Sequence, residues 1–179
     1  MVQEFYKDYF RMTGEPYSKG IKCWVKLLYS HQIRFMKLWR KGKNSKFKFL
    51  YKARLKRYSL NYGIEISLDA NLGEGIYLGH PYNITVAEGV TIGNNVNLHK
   101  GCTIGRENRG KRCGVPTLGD NVFVGINSTI VGNVQIGNDV MIAPNSFINF
   151  DVPDHSVVLG NPGRIVSKQN ATEGYINFI

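Results

Sequence analysis

Between Pro16 and Ile64 the chain has no acidic residue, while lysine and arginine crowd the interval from Arg34 to Arg57. The formal net charge of +10 is therefore concentrated in the N-terminal third, and the remainder is slightly acidic. No run of eighteen apolar residues is present, so a membrane-spanning helix is not expected, and no signal-peptide pattern opens the chain. The three cysteines, Cys23, Cys102 and Cys113, form an odd set without CxxC spacing. That excludes a disulfide framework and a thiolate zinc site, and it suits reduced thiols in a cytoplasmic protein. Nucleic acid is not expected as a partner, because no recognised binding module accompanies the charge.

What is present is a period of six. From Val86 an aliphatic residue returns at Ile92, Leu98 and Ile104, then again at Leu118, Val124, Ile130, Ile136, Ile142 and Ile148. Ile66, Leu72 and Leu78 carry the same period further upstream. A small or β-branched residue sits four places later, as at Val96, Cys102, Val122, Ser128, Val134, Val140 and Ser146. Seven would mean a coiled coil and 3.6 a helix; six means the three short sides of one coil of a parallel β-helix. The aliphatic residues point inward and stack between coils. Gly105, Gly119, Gly125, Gly137 and the pairs Gly132-Asn133 and Asn138-Asp139 are expected at the corners, where a positive φ is required.

The first 62 residues read differently. Ile21, Trp24, Val25, Leu28, Phe35 and Trp39 fall at helical spacing, as do Phe47, Leu50, Tyr51, Leu55 and Tyr58. A β-helix needs its open end covered, so residues 1–62 are expected as a helical cap, 63–152 as the β-helix, and 153–179 as a C-terminal loop ending in a loosely held tail. The basic residues within 34–57 leave two readings open, a solvated cap surface or a surface for an anionic membrane. Two interruptions break the period: a two-residue slip holding Gly79-His80-Pro81-Tyr82-Asn83, and a polar loop over 106–117 that leaves the prism. Chemistry belongs at such breaks, because regular coils present repetitive side chains.

The coil pattern, Gly79-His80, the extruded loop and the run Val152-Pro153-Asp154-His155-Ser156 followed by Gly160-Asn161-Pro162-Gly163-Arg164 together resemble the hexapeptide-repeat acyltransferases. The resemblance is to the serine acetyltransferase-like branch, which includes O-acetyltransferases of capsular and exopolysaccharide synthesis, and it covers about residues 60–168. It implies an all-β fold, a left-handed parallel β-helix of hexapeptide repeats with an N-terminal α-helical cap. It also implies a homotrimer, acetyl-CoA as co-substrate without a metal, and an active site between neighbouring prisms.

On that resemblance His80 is the general base. The family places a carboxylate fifteen residues before it, which here is Glu65. Fifteen residues is close to one coil, so Glu65 and His80 are expected nearly one above the other, with the carboxylate orienting the imidazole. Gly125, Ile126, Ala143 and Pro144 along one coil edge, with Arg164, are implied for CoA. Arg109 and Arg112 of the loop, with His99, are the acceptor-side candidates, although His99 is expected to face solvent. His31 and His155 receive no role. A carbonic anhydrase on the same prism would need three convergent histidines, and His80, His99 and His155 lack that spacing.

The departures from the family bear on the acceptor. Serine acetyltransferases carry Arg-His-Pro in the extruded loop where this chain has Gly114-Val115-Pro116, and Asp where it has Gly79. A serine site would lack those charge partners, so the expectation is a neutral hydroxyl of a capsular or exopolysaccharide sugar or its precursor. Serine itself is the alternative, and a non-catalytic β-helix binding protein is a third reading.

Overall fold

The computed structural model describes residues 3–179. Four helices come first: α1 (Gln3–Thr13), α2 (Ile21–Tyr29), α3 (His31–Lys43) and α4 (Lys48–Tyr62). Then the chain winds. β1 (Glu65–Ile66), β2 (Asn71–Leu72) and β3 (Tyr77–Gly79) form the first coil, and β4 (Thr85–Val86), β5 (Thr91–Ile92) and β6 (Asn97–His99) the second. β7 (Thr103–Gly105), β8 (Thr117–Leu118) and β9 (Val122–Val124) form the third, and β10 (Thr129–Val131), β11 (Gln135–Ile136) and β12 (Val140–Ile142) the fourth. A last turn is made by β13 (Phe147–Ile148) and β14 (Ser156–Leu159), with β15 (Arg164–Ser167) folding back antiparallel on β14.

Every third strand therefore stacks on its predecessor. The three flat sheets run β1-β4-β7-β10-β13, β2-β5-β8-β11 and β3-β6-β9-β12-β14, with all of these neighbours parallel. The interior is the aliphatic column read from the period. Leu78, Leu98, Val124, Ile142 and Val158 are fully buried on one side, as are Ile104, Ile130 and Ile148 on another. The residue four places on, at Val96, Cys102, Val122, Ser128, Val134 and Val140, is buried as completely. It must be small because it shares the same narrow prism.

The corners divide their work differently from the expectation. Positive φ is carried by Asn95, Asn121, Asp139 and His155 along one edge, and by Asn83, Gly101, Asn127 and Asn145 along another. Of the residues expected there, Gly132 (φ +90°) and Asp139 (φ +52°) carry it, while Gly105, Gly119, Gly125 and Gly137 do not. A Cβ on Gly119 would lie 2.9 Å from the Gly137 backbone, and one on Gly137 2.5 Å from the Asp154 nitrogen. Those glycines are required by the close approach of one coil to the next.

The cap closes the first coil through its polar groups. Trp39, fully buried, donates Nε1–H to the Ser67 carbonyl at 3.2 Å. Arg40 donates to the Leu72 carbonyl at 2.9 Å and to that of Gly73, Arg11 to that of Gly75 at 3.1 Å, and Lys43 to that of Ala70 at 2.7 Å. Asp8 accepts from the Ile76 amide at 2.8 Å and holds Arg40 through two bonds, at 2.8 and 3.0 Å. These side chains satisfy a strand edge that otherwise faces water. Burial pushes the Asp8 carboxyl upward, and the Arg40 guanidinium pulls against it.

The C-terminal segment departs from the expected loose tail. β14 extends the parallel sheet past residue 152, and Ala171, Thr172 and Ile176 are buried. Asp139 accepts from the Ala171 and Thr172 amides at 3.0 and 2.9 Å, and from the Thr172 hydroxyl at 2.7 Å. A carboxylate on a coil corner therefore pins a segment that follows the last repeat.

Candidate active site

The site is built on the two-residue slip. Twenty residues separate Glu65 from its neighbour Thr85 and Gly79 from His99, against eighteen between Thr85 and Thr103. The additional length leaves His80 at the end of β3 as an exposed, non-glycine residue with φ +48°. Such a conformation is uncommon for a non-glycine residue, although histidine adopts it more readily than most, and here the residues that follow are held by the cap. His31 places Nε2 3.4 Å from the Pro81 carbonyl and stacks on Tyr62 with ring centres 4.2 Å apart. Tyr82 packs edge-on against both rings. An aromatic clamp from the cap thus holds the segment directly after His80, and its members are invisible as a group until the fold brings residues 31, 62 and 82 together.

His99 lies in the next coil, and its ring is the reason residue 79 is glycine. A Cβ at Gly79 would sit 2.5 Å from His99 Cε1 and Nδ1, closer than any side chain tolerates. An aspartate there would displace the ring. His99 is also far from the expected solvent-facing position. Its ring packs against Phe123 at 4.6 Å and Tyr77 at 6.0 Å, and its Nε2 is buried without a hydrogen-bond partner. Burial first, and the neighbouring His80 second, hold its pKa below the ordinary imidazole value. His80 and His99 thus lie on successive coils within electrostatic reach of each other, with protonation of His99 disfavoured.

Glu65 falls elsewhere. The slip lengthens the first coil to twenty residues, so Thr85, not His80, lies above Glu65. Its carboxylate accepts from the Ser59 hydroxyl at 2.5 Å. It lines a cleft of about 470 Å³ between α4 and the β1–β4 face, with Lys52, Lys56 and Thr85, and His80 is not in that wall. Among the described residues no hydrogen bond joins Glu65 to His80. The expectation of one above the other is corrected by the coil length.

The remaining candidates sort by what already holds them. The Gly125 amide donates to the Ile142 carbonyl at 2.9 Å and the Ala143 amide to that of Val158 at 2.8 Å. Ser128 and Ser146 both donate to the Ala143 carbonyl, at 2.9 and 2.7 Å. Pro144 has no N–H, so the polar groups expected for pantetheine are largely consumed between coils. The Ile126 carbonyl likewise accepts from the Asn145 amide at 2.9 Å, although the residue is 39% exposed. In the extruded loop Arg112 bonds both Asp151 oxygens at 2.9 Å and the Asn133 carbonyl at 3.2 Å, which fastens the loop to the prism. Arg109 is exposed, as is Arg164 on β15. Among the described residues no cluster of three or more His, Cys, Asp or Glu side chains is arranged to hold a metal ion.

Residues 116–149 match the bacterial transferase hexapeptide family (six repeats). The chain is 39% identical to serine acetyltransferase 2 of Arabidopsis thaliana over 132 residues, which is 73% of this chain and 39% of that protein. It is 37% identical to the serine acetyltransferase of Staphylococcus aureus over 114 residues, 63% of this chain and 53% of that one. The chain thus spans about half or less of the length of these curated relatives. Among solved structures, the serine acetyltransferase of Neisseria gonorrhoeae superposes with a TM-score of 0.78 at 27% identity, covering 93% of this chain and 66% of that chain. A serine acetyltransferase in complex with CoA superposes at 0.74 with 26% identity, covering 91% and 68%. The fold is that of a hexapeptide-repeat β-helix. None of these similarities points to a capsular or exopolysaccharide O-acetyltransferase, the acceptor class expected from the loop.

Proposed function

We propose that the chain is an acetyl-CoA-dependent O-acetyltransferase in which His80 is the base and serine the acceptor, working as a homotrimer with the site between prisms. The observation that carries this reading is the placement of His80, exposed and clamped at a break in a solenoid that superposes on serine acetyltransferases over more than nine-tenths of its length. Neutral His80 takes the proton from the acceptor hydroxyl as its oxygen attacks the thioester carbonyl. The imidazolium then returns that proton to the departing thiolate of CoA. His99, whose protonation is disfavoured, avoids placing a second positive charge near the imidazolium.

A sugar hydroxyl remains a second reading because of one feature. Gly114-Val115-Pro116 supplies no charged side chain, and Arg112 is already committed to Asp151. Arg106, Arg109 and Lys111 are then the loop cations left for a serine carboxylate.

Thiol release from acetyl-CoA with L-serine and with a panel of sugars separates the readings. Serine-dependent release that falls roughly 10²- to 10⁴-fold in kcat in His80→Ala is expected; release with sugars alone overturns serine, and release unchanged in His80→Ala overturns the base. Glu65→Gln in the same assay tests the orienting carboxylate. If Glu65 leaves Ser59 to orient His80, kcat falls and its pH profile moves; an unchanged profile confines Glu65 to its cleft.

A further inference from the structure

Helix α2 is oriented against the usual rule for a globular protein, in which the apolar stripe faces inward. Its sequence repeats apolar residues at i, i+3, i+4, i+7 and i+8, and all five point outward: Ile21 (77% exposed), Trp24 (60%), Val25 (40%), Leu28 (49%) and Tyr29 (85%). Only Cys23 is fully buried on the other side. Beside the stripe, α2, α3 and α4 enclose an open groove of about 430 Å³, with Leu27, Leu38, Tyr51 and Tyr58 along its floor. Its rim is cationic, formed by Arg34, Lys37, Lys41 and Arg54. Arg34 is fixed there because its guanidinium donates to the last carbonyls of α2, those of Leu27 and Leu28. Among the described residues no acidic side chain pairs with Lys41 or Arg54.

We propose that α2 and the groove beside it form a docking surface for an anionic phospholipid bilayer. The apolar stripe flanked by Lys22, and by Lys26 which pairs with Glu15 at 2.9 Å, is the pattern of a helix that lies in the headgroup plane. The rim cations complement lipid phosphates, and the floor accepts acyl carbon. The stretch without an acid from Pro16 to Ile64 leaves little on this face to repel an anionic surface. The same charge opposes pairing with a second copy, since a two-fold contact would bring Lys and Arg onto Lys and Arg. The surface is separate from His80 and does not depend on the acceptor.

The two tryptophans make the test direct. Trp39 is fully buried and Trp24 is on the stripe, so lipid-dependent emission reports Trp24. The full chain is titrated with vesicles of phosphatidylcholine alone and with phosphatidylglycerol added, with and without brominated acyl chains. A blue shift and bromine quenching on the anionic vesicles alone, reversed by high salt, are expected. Lys41→Ala/Arg54→Ala should weaken partitioning about 25-fold, at roughly fivefold per cation removed. Leu28→Ser should weaken it while leaving the salt dependence in place. No quenching at any composition, equal partitioning onto neutral vesicles, or no response to the charge variants overturns the proposal. A blue shift that follows protein concentration without lipid overturns it as well and gives the face to a second copy.

Discussion

The solenoid and its helical cap bury backbone by opposite means. Each coil hydrogen-bonds to the one before and the one after, so its stability is spread evenly along a column of equivalent aliphatic residues. The cap has no such repetition. It is fastened to the first coil by a few charged side chains, with the Asp8–Arg40 pair at the centre. One arrangement fails gradually and locally; the other combines buried apolar side chains such as Phe35, Met36 and Trp39 with one buried ion pair whose loss is felt at once. Removing one member of such a pair is far costlier than removing both, because the remaining charge is buried without compensation.

The largest expected effect therefore falls on the cap. Asp8→Ala should destabilise the protein by about 3–5 kcal/mol, read as a shift in the urea midpoint of the helical circular dichroism signal. Asp8→Leu/Arg40→Leu should recover part of it, since the Ile76 amide and the Leu72 and Gly73 carbonyls then lose their partners. If the single and double variants lose equal stability, the pair is not the fastening it is taken to be. In the solenoid, Ile104→Ala should cost about 3 kcal/mol, within the 2–5 usual for a buried aliphatic residue. The loss should spread to the rungs of Val86 and Ile130, its neighbours in the sheet. Amide exchange would show faster opening in β4, β7 and β10 with the cap unchanged; uniform acceleration through the cap would break the contrast between the two regions.

The same contrast explains what could be read before folding. A six-residue period is a local signal repeated many times, and it defined the inward column, the slip at His80 and the extruded loop. The cap's role was legible from helical spacing, but its fastening was not, since Asp8, Arg40 and Ile76 are far apart in sequence. The site was legible in part for the same reason. His80 is marked by a break in the period, whereas the His31–Tyr62–Tyr82 clamp joins three elements with no shared pattern. The stacking of Glu65 on His80 failed on arithmetic: a coil is eighteen residues when regular and twenty across the slip, so fifteen does not return to the same rung. His99 was misjudged because outward from a prism is not the same as exposed when Phe123 and Tyr77 flank the ring.

The smallest expected effect tests whether the last coil is fastened through a buried charged group, as the cap is in part, or as the solenoid is. Burial would raise the Asp139 carboxyl, but His155 Nδ1–H at 2.8 Å and the Thr172 and Ala171 donors outweigh it and hold the pKa at about 2, below the ordinary 3.8. A carboxylate with a depressed pKa stabilises the fold above its unfolded value and loses that contribution as pH falls through the folded one. The clasp should thus be intact above about pH 4 and release between there and about pH 2. Thr172→Val removes the hydroxyl donor to the carboxylate and should cost about 1–2 kcal/mol. Amide exchange at Ala171 and Thr172 should accelerate in this variant at neutral pH, and in the unaltered protein only on acidification. Asp139→Asn should remove the acid-dependent component. If exchange there is instead insensitive to pH and to both substitutions, the apolar contacts of Ala171 and Ile176 hold the segment, and the C-terminal end belongs with the solenoid's distributed packing.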